Sequence, residues 1–287
     1  MAKKKMLPDF YRMKEKGEKV VWITAYDYPT ATFAEDAGVD MILVGDSLGM
    51  CVYGYRGTVP VTMDQCIWHC EAVRRAAPNT FVMGDMPFLS YQPSTEMAVL
   101  NAGRFLKEAD CDAVKLEGGK RVVPQVQAII DAGIVVCGHI GLTPQSSGQL
   151  GGHKAQGRTA DSARLVIEDA LALHEAGIQL LLLEAVPPAV GKFITKLLPI
   201  PVYGIGAGAD TDGQVLIVSD VIGQFQAFTP KFVKKYANVA KVVTDAIRAY
   251  GDDVRSGAFP ADQHCYRMIK GEGLKFQEMA REYKKPE

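Results

Sequence analysis

Apolar runs recur along this chain, and five of them end in charged, hydroxyl or imidazole side chains. VDMILVGDS (39–47) ends at Asp46 and Ser47, and TFVMGD (80–85) ends at Asp85. DAVKLEGG (112–119) carries Lys115 and Glu117, IVVCGH (134–139) ends at His139, and IQLLLLEA (178–185) reaches Glu184. Parallel strands covered on both faces read as near-continuous hydrophobic runs. In a (β/α)8 TIM barrel, polar groups at the C-terminal strand ends converge on one mouth, and the active site sits there. One pattern therefore predicts an α/β fold and a set of site residues together.

Three further runs, VVWITA (20–25), IPVYGIG (200–206) and QVLIVSDVI (214–222), bring the strand candidates to eight. Segments of helical period separate most of them, such as 97–109 and 162–177, with a shorter helical stretch from Pro29 to Ala37. Gly38, Gly133 and Gly177 each follow a helical stretch and precede a strand, which marks helix ends. Strand–helix alternation predicts a parallel sheet, and eight units predict closure into a single barrel domain over 1–287. A doubly wound open sheet is the other arrangement this alternation permits. Residues 1–19 read as a leading N-terminal helix and 262–287 as a C-terminal helix or tail.

The net charge of −1 leaves no electrostatic footprint for nucleic acid or an anionic membrane. No apolar run approaches the roughly 20 residues that span a bilayer. The start, MAKKKMLPDF, is basic without a following apolar stretch, so it is not a secretory signal, and a cytoplasmic location is expected. The six cysteines are scattered. Cys66 and Cys70 flank His69 one helical turn apart, but zinc would need further ligands, so buried packing is the expected role.

Asp46, Asp85 and Glu117 end successive strands, and three carboxylates at one mouth repel unless a cation or protons neutralise them. An oxygen-only set with His139 nearby suits hard Mg2+ better than zinc. The other reading is that an acid such as Asp46, with Ser47, caps the helix after its strand. Lys115 and Glu117 lie two apart on one strand and so face the same way. Lys115 there would bind an anion, form a Schiff base or pair with a carboxylate. His139 is a hydrogen-bond donor or acceptor. Glu184 follows Leu180 to Leu183, a setting that raises a carboxyl pKa and suits a general base. GIGAGADTDG (204–213) is a weak dinucleotide match, better explained by tight barrel turns or close approach to a ligand. Two long loops, 47–64 and 141–161, fall on the predicted catalytic face, where such loops usually serve binding.

The motifs TAYDYPTA, VGDSLGM, VKLEGG, CGHIGLTPQS, LGGHKAQGR, LLLEAVP, GIGAGADTDGQ and PKFVKKY, in this order from Thr24 to Tyr236, resemble the ketopantoate hydroxymethyltransferase family. The sequence departs from the family pattern at Cys51 and over 223–232. The resemblance implies a (β/α)8 barrel, Mg2+, and a homo-oligomer, commonly a decamer of pentameric rings. It implies hydroxymethyl transfer from 5,10-methylenetetrahydrofolate to 3-methyl-2-oxobutanoate, giving ketopantoate by Mg2+-assisted enolate formation early in pantothenate biosynthesis. It puts the metal on Asp46 and Asp85 with Glu117 at or near it. Substrate contacts fall on Asp46, Ser47, Asp85, Lys115 and His139, and Glu184 becomes the proton acceptor. The alternatives are a metal-dependent C–C lyase or aldolase on another 2-oxo acid, a Schiff-base aldolase through Lys115, and a non-catalytic 2-oxo acid sensor.

Overall fold

The computed structural model of the chain describes residues 4–283. By contact the chain divides into two compact units, Met1–Ala237 and Asn238–Glu287.

The first unit opens with α1 (Leu7–Lys16), β1 (Val20–Thr24), α2 (Tyr28–Asp36) and β2 (Met41–Val44). Next come α3 (Leu48–Cys51), α4 (Met63–Ala76), β3 (Phe81–Asp85), α5 (Thr95–Ala109), β4 (Ala113–Glu117) and α6 (Val123–Asp131). The chain continues through β5 (Val136–Gly141), α7 (Ser147–Leu150), α8 (Ala160–Glu175), β6 (Leu180–Glu184) and α9 (Pro188–Leu197). It ends with β7 (Val202–Ile205), β8 (Gly213–Leu216) and α10 (Val218–Val221). The strands pair in parallel in chain order, and β8 closes on β1. The closed barrel, rather than an open sheet, is the fold.

Successive strand residues face opposite sides. Met41, Leu43, Phe81, Met83, Leu180 and Leu182 pack inside the barrel, with Phe10 of α1 among them and edge-on to Phe81 at 5.1 Å. The alternate positions Ile42, Val44, Val82, Val114, Leu181 and Leu183 pack outward in the layer shared with the helices. Both faces are apolar, hence the continuous runs. Glycines end the helices as expected: Gly38, Gly133 and Gly177 have φ of 74°, 85° and 95°.

The structure differs from the sequence reading at the end of β8. The run 214–222 is strand only as far as Leu216, because β1 ends at Thr24 and supplies no further ladder partner. There Val218 N–H donates to Thr24 Oγ1 at 3.0 Å instead, and the chain turns into α10. Between β7 and β8 the described chain forms no helix. That link, 206–212, holds Gly206 at φ 67° and Gly208 at φ 89°. A Cβ would sit 2.8 Å from Phe232 at the first and 2.7 Å from Pro188 at the second. These glycines serve a tight barrel connection, and no helix opens from them toward a dinucleotide.

The second unit begins at Asn238, whose side chain accepts from Lys241 N–H at 3.3 Å and caps α11 (Val239–Ser256). α12 (Glu272–Ala280) follows, inside the segment read from sequence as a C-terminal helix or tail; residues 284–287 of that segment lie outside the described ones. The barrel strands are complete by Leu216, so nothing after Ala237 is needed to close the sheet. No described helix is long and apolar enough to cross a membrane.

Candidate active site

Ladder register brings the strand-end groups together. Asp85 lies opposite Lys115, Glu117 opposite His139, and Gly141 opposite Glu184. These side chains continue the inward-facing rows above the apolar interior. Asp85, Lys115, Glu117 and His139 are each at most 2% exposed.

Lys115 Nζ stands 2.8 Å from Asp85 Oδ1 and 3.2 Å from His139 Nδ1. Burial alone would discharge this amine, but the carboxylates of Asp85, Glu117 and Asp46 outweigh it and raise its pKa. An ammonium is only a donor, so His139 Nδ1 accepts and the imidazole proton is on Nε2. Burial and the Lys115 charge hold the His139 pKa well down, so the ring is neutral. Its Nε2 lies 3.1 Å from Glu184 Oε2, out of full hydrogen-bond alignment.

The Glu184 carboxyl is raised from 4.5 to about 7, because burial strips its water and Lys115 only partly offsets that. Asp46 is raised from 3.8 to about 7 by burial and then by the Asp85 charge. Burial and Asp46 raise Glu117 as well.

Asp46 N–H donates to Asp85 Oδ2 at 3.0 Å, which sets the two acids side by side. Ser47 is the residue before α3 but gives no side-chain cap; its Oγ shares a hydrogen bond with Tyr26 OH at 2.8 Å. The local capping role is therefore not used. The acid pair suits a hard divalent cation: two buried carboxyls side by side raise the pKa of Asp46, and oxygen is the donor such an ion prefers. Among the described residues, no group of three or more His, Cys, Asp or Glu side chains is gathered to hold an ion by itself. Glu117 is engaged elsewhere, its Oε2 accepting Gln145 N–H at 3.0 Å. Cys66 and Cys70 are free and buried, while His69 turns to Tyr26 O and Tyr53 OH.

Sequence reasoning missed Gln145 and Tyr91. Gln145 Nε2 donates to Asp46 Oδ2 at 2.9 Å, and Tyr91 OH donates to the Glu117 carbonyl at 2.8 Å. Neither is charged and neither ends an apolar run, so the pattern that found the others passes over them. Gln145 does fall inside the long loop 141–161 and the CGHIGLTPQS motif.

A cavity of about 1100 Å³ opens above these groups. The loop 47–64 supplies Arg56 and Thr58 to its wall, and the loop 141–161 supplies His153 and Arg158. Phe228 and Phe232 come from the stretch after α10, which the sequence reading had not placed at the mouth.

The protein is a parallel-barrel enzyme, with acids, a charged lysine and a carboxyl raised to about 7 gathered at one mouth. A family model described as ketopantoate hydroxymethyltransferase matches residues 4–262, and the chain belongs to that family. It is 62% identical over 284 residues to 3-methyl-2-oxobutanoate hydroxymethyltransferase of Alkaliphilus metalliredigens (strain QYMF), covering 99% of this chain and 100% of that one. Identity is 55% to the protein of the same name from Moorella thermoacetica (strain ATCC 39073 / JCM 9320), over 91% of this chain and 97% of that one. Among solved structures, phosphonopyruvate hydrolase in complex with oxalate and Mg++ shares the fold at TM-score 0.59 and 13% identity, covering 97% of this chain and 98% of that one. Phosphoenolpyruvate phosphomutase from Streptomyces platensis subsp. rosaceus does so at TM-score 0.60 and 15% identity, with coverage of 97% and 98%.

Proposed function

We propose that this barrel transfers a hydroxymethyl group from 5,10-methylenetetrahydrofolate to 3-methyl-2-oxobutanoate, with Mg2+ held by Asp46 and Asp85. The observation that carries the reading is Glu184: a carboxyl of pKa about 7 on the cavity wall, sharing that wall with Lys115 and the acid pair. Membership of the family and near full-length identity to proteins named for this activity support it.

Lys115 remains protonated and offers its charge to the substrate carboxylate. That charge also argues against the Schiff-base alternative, since only a neutral amine attacks a carbonyl. When bound, Mg2+ supplies Lewis-acid stabilisation of the charge that builds on the 2-oxo acid oxygens. Glu184 accepts the C3 proton, and neutral His139 keeps its Nε2 proton beside that carboxylate. Water adds to the folate's methylene carbon and its two C–N bonds break with protons returned to nitrogen, which frees tetrahydrofolate and a formaldehyde-level carbon. C3 bonds to that carbon as the C=O pair moves to oxygen, and that oxygen takes back the proton from Glu184 to give ketopantoate. Ser47, at the mouth beside Asp46, contributes a hydroxyl to substrate oxygens. Glu117 borders the ion rather than closing a three-acid cage, and Mg2+ commonly binds through one or two carboxylates with the remaining positions left to water and substrate.

The chain works as a homo-oligomer, a decamer by family likeness. Val243, Ile247, Tyr250 and Val254 form one apolar stripe on α11 at helical spacing, and all four are exposed. A cytoplasmic location goes with a biosynthetic role of this kind.

The purified protein with 3-methyl-2-oxobutanoate and methylenetetrahydrofolate should form ketopantoate, and EDTA should stop it. Turnover without the folate, splitting the oxo acid instead, would favour the lyase reading.

A further inference from the structure

One neutral side chain ties together acids from two different strand ends. Gln145 comes from the loop after β5 yet is 5% exposed. Its Nε2 donates to Asp46 Oδ2 and to the Met86 carbonyl, both at 2.9 Å. Its main-chain N–H donates to Glu117 Oε2 at 3.0 Å. Its Oε1 accepts from Gln92 Nε2 at 3.3 Å and lies 2.9 Å from Tyr91 OH, whose one proton is shared with the Glu117 carbonyl at 2.8 Å. The orientation of the amide is chemically forced, because a main-chain carbonyl such as Met86 O only accepts, so the atom facing it is the nitrogen. Both amide protons are then committed, to Asp46 and to the Met86 carbonyl.

Asp85 is held from two sides, by the Asp46 main-chain N–H at 3.0 Å and by Lys115 at 2.8 Å, whereas the Asp46 carboxylate has Gln145 as its donor at 2.9 Å. A donor fixed on Asp46 from the loop side holds that carboxylate in its orientation. We propose that Gln145 is a positioning residue that holds Asp46 and Glu117 in place so that a divalent cation meets a prearranged site. This rests on the reading that Asp46 and Asp85 bind the ion. Outer partners of metal ligands are typically worth about 10- to 100-fold in metal affinity.

Gln145→Met keeps the length of the side chain and removes both donors. Titrated calorimetrically with Mg2+ alone, it should bind about 10- to 100-fold more weakly than the parent. In turnover, kcat should recover toward the parent's as Mg2+ is raised, while the Mg2+ needed for half activity stays high. A lowered melting temperature with unchanged Mg2+ affinity would overturn the proposal, because a merely structural glutamine would behave so. If Gln145→Met does not fold, Tyr91→Phe carries the test: it removes the hydroxyl behind Oε1, should weaken Mg2+ in the same direction, and parental affinity there overturns the proposal. Asp46→Ala separates the two readings. Unimpaired Mg2+ binding in Asp46→Ala removes the cation site itself, and Gln145's role with it. Unimpaired binding in Gln145→Met, with Asp46→Ala defective, removes only the role of Gln145.

Discussion

Glu184 owes its chemistry to where it stands. Burial at the end of β6 strips water from its carboxyl, and its pKa climbs to about 7. As a base it must be unprotonated, so kcat should fall as pH drops through about 7, approaching about tenfold per unit below it. Glu184→Gln preserves shape and hydrogen bonding but takes no proton. It should bind Mg2+ and 3-methyl-2-oxobutanoate nearly as the parent does, yet lose on the order of 10² to 10⁴ in rate. Exchange of the C3 proton in D2O without folate, followed by NMR, separates the roles: exchange and transfer should disappear together. Retained exchange would move the base elsewhere. Asp46→Ala and Asp85→Ala should each remove most Mg2+ binding while the barrel stays folded. Calorimetric affinity equal to the parent's in either would sink that ligand assignment.

Element packing sets how accurately those side chains are placed. Gly84 lies on the outward face of β3, one residue before Asp85, and a Cβ there would fall 2.2 Å from the Phe105 ring of α5. Phe105 is fully buried and has little room to retreat. Gly84→Ala should therefore destabilise by about 1–3 kcal/mol through overpacking. Because the strand must shift to relieve the clash, Mg2+ binding should weaken as well. A melting temperature and Mg2+ affinity equal to the parent's would show that α5 yields more easily than its packing implies. Strands were readable from sequence at this scale because the outer layer and the inner row are both apolar over β2, β3 and β6. The end of β8 was not readable, since QVLIVSDVI stays apolar past the point where β1 runs out of partners.

At the scale of the whole molecule, the exposed apolar stripe of α11 is a surface to be covered, and a second copy of the chain is the proposed cover. Sedimentation velocity should find an assembly well above the 31.2 kDa chain. Ile247→Glu, which sets a charge in the middle of the stripe, should shift the distribution to smaller species. A parent protein sedimenting as a monomer would refute the oligomer.

The strand runs and the charged candidates at their ends were legible locally, whereas closure into a barrel rather than an open sheet came from the pairing of β8 with β1. Period-two burial on both faces makes strands visible as runs, and charge at the end of a buried run is costly enough to signal a purpose. Only the tertiary structure decided which groups touch. Gln145 reaches Asp46 across 99 residues of sequence, and Lys115 meets Asp85 through ladder register rather than through spacing along the chain. Glu117 illustrates the difference. Its sequence position equals that of the other acids, yet Gln145 takes one of its oxygens. Hydrogen bonds are short-ranged and directional, so their partners are fixed only when the strands close and the loops fold over the mouth.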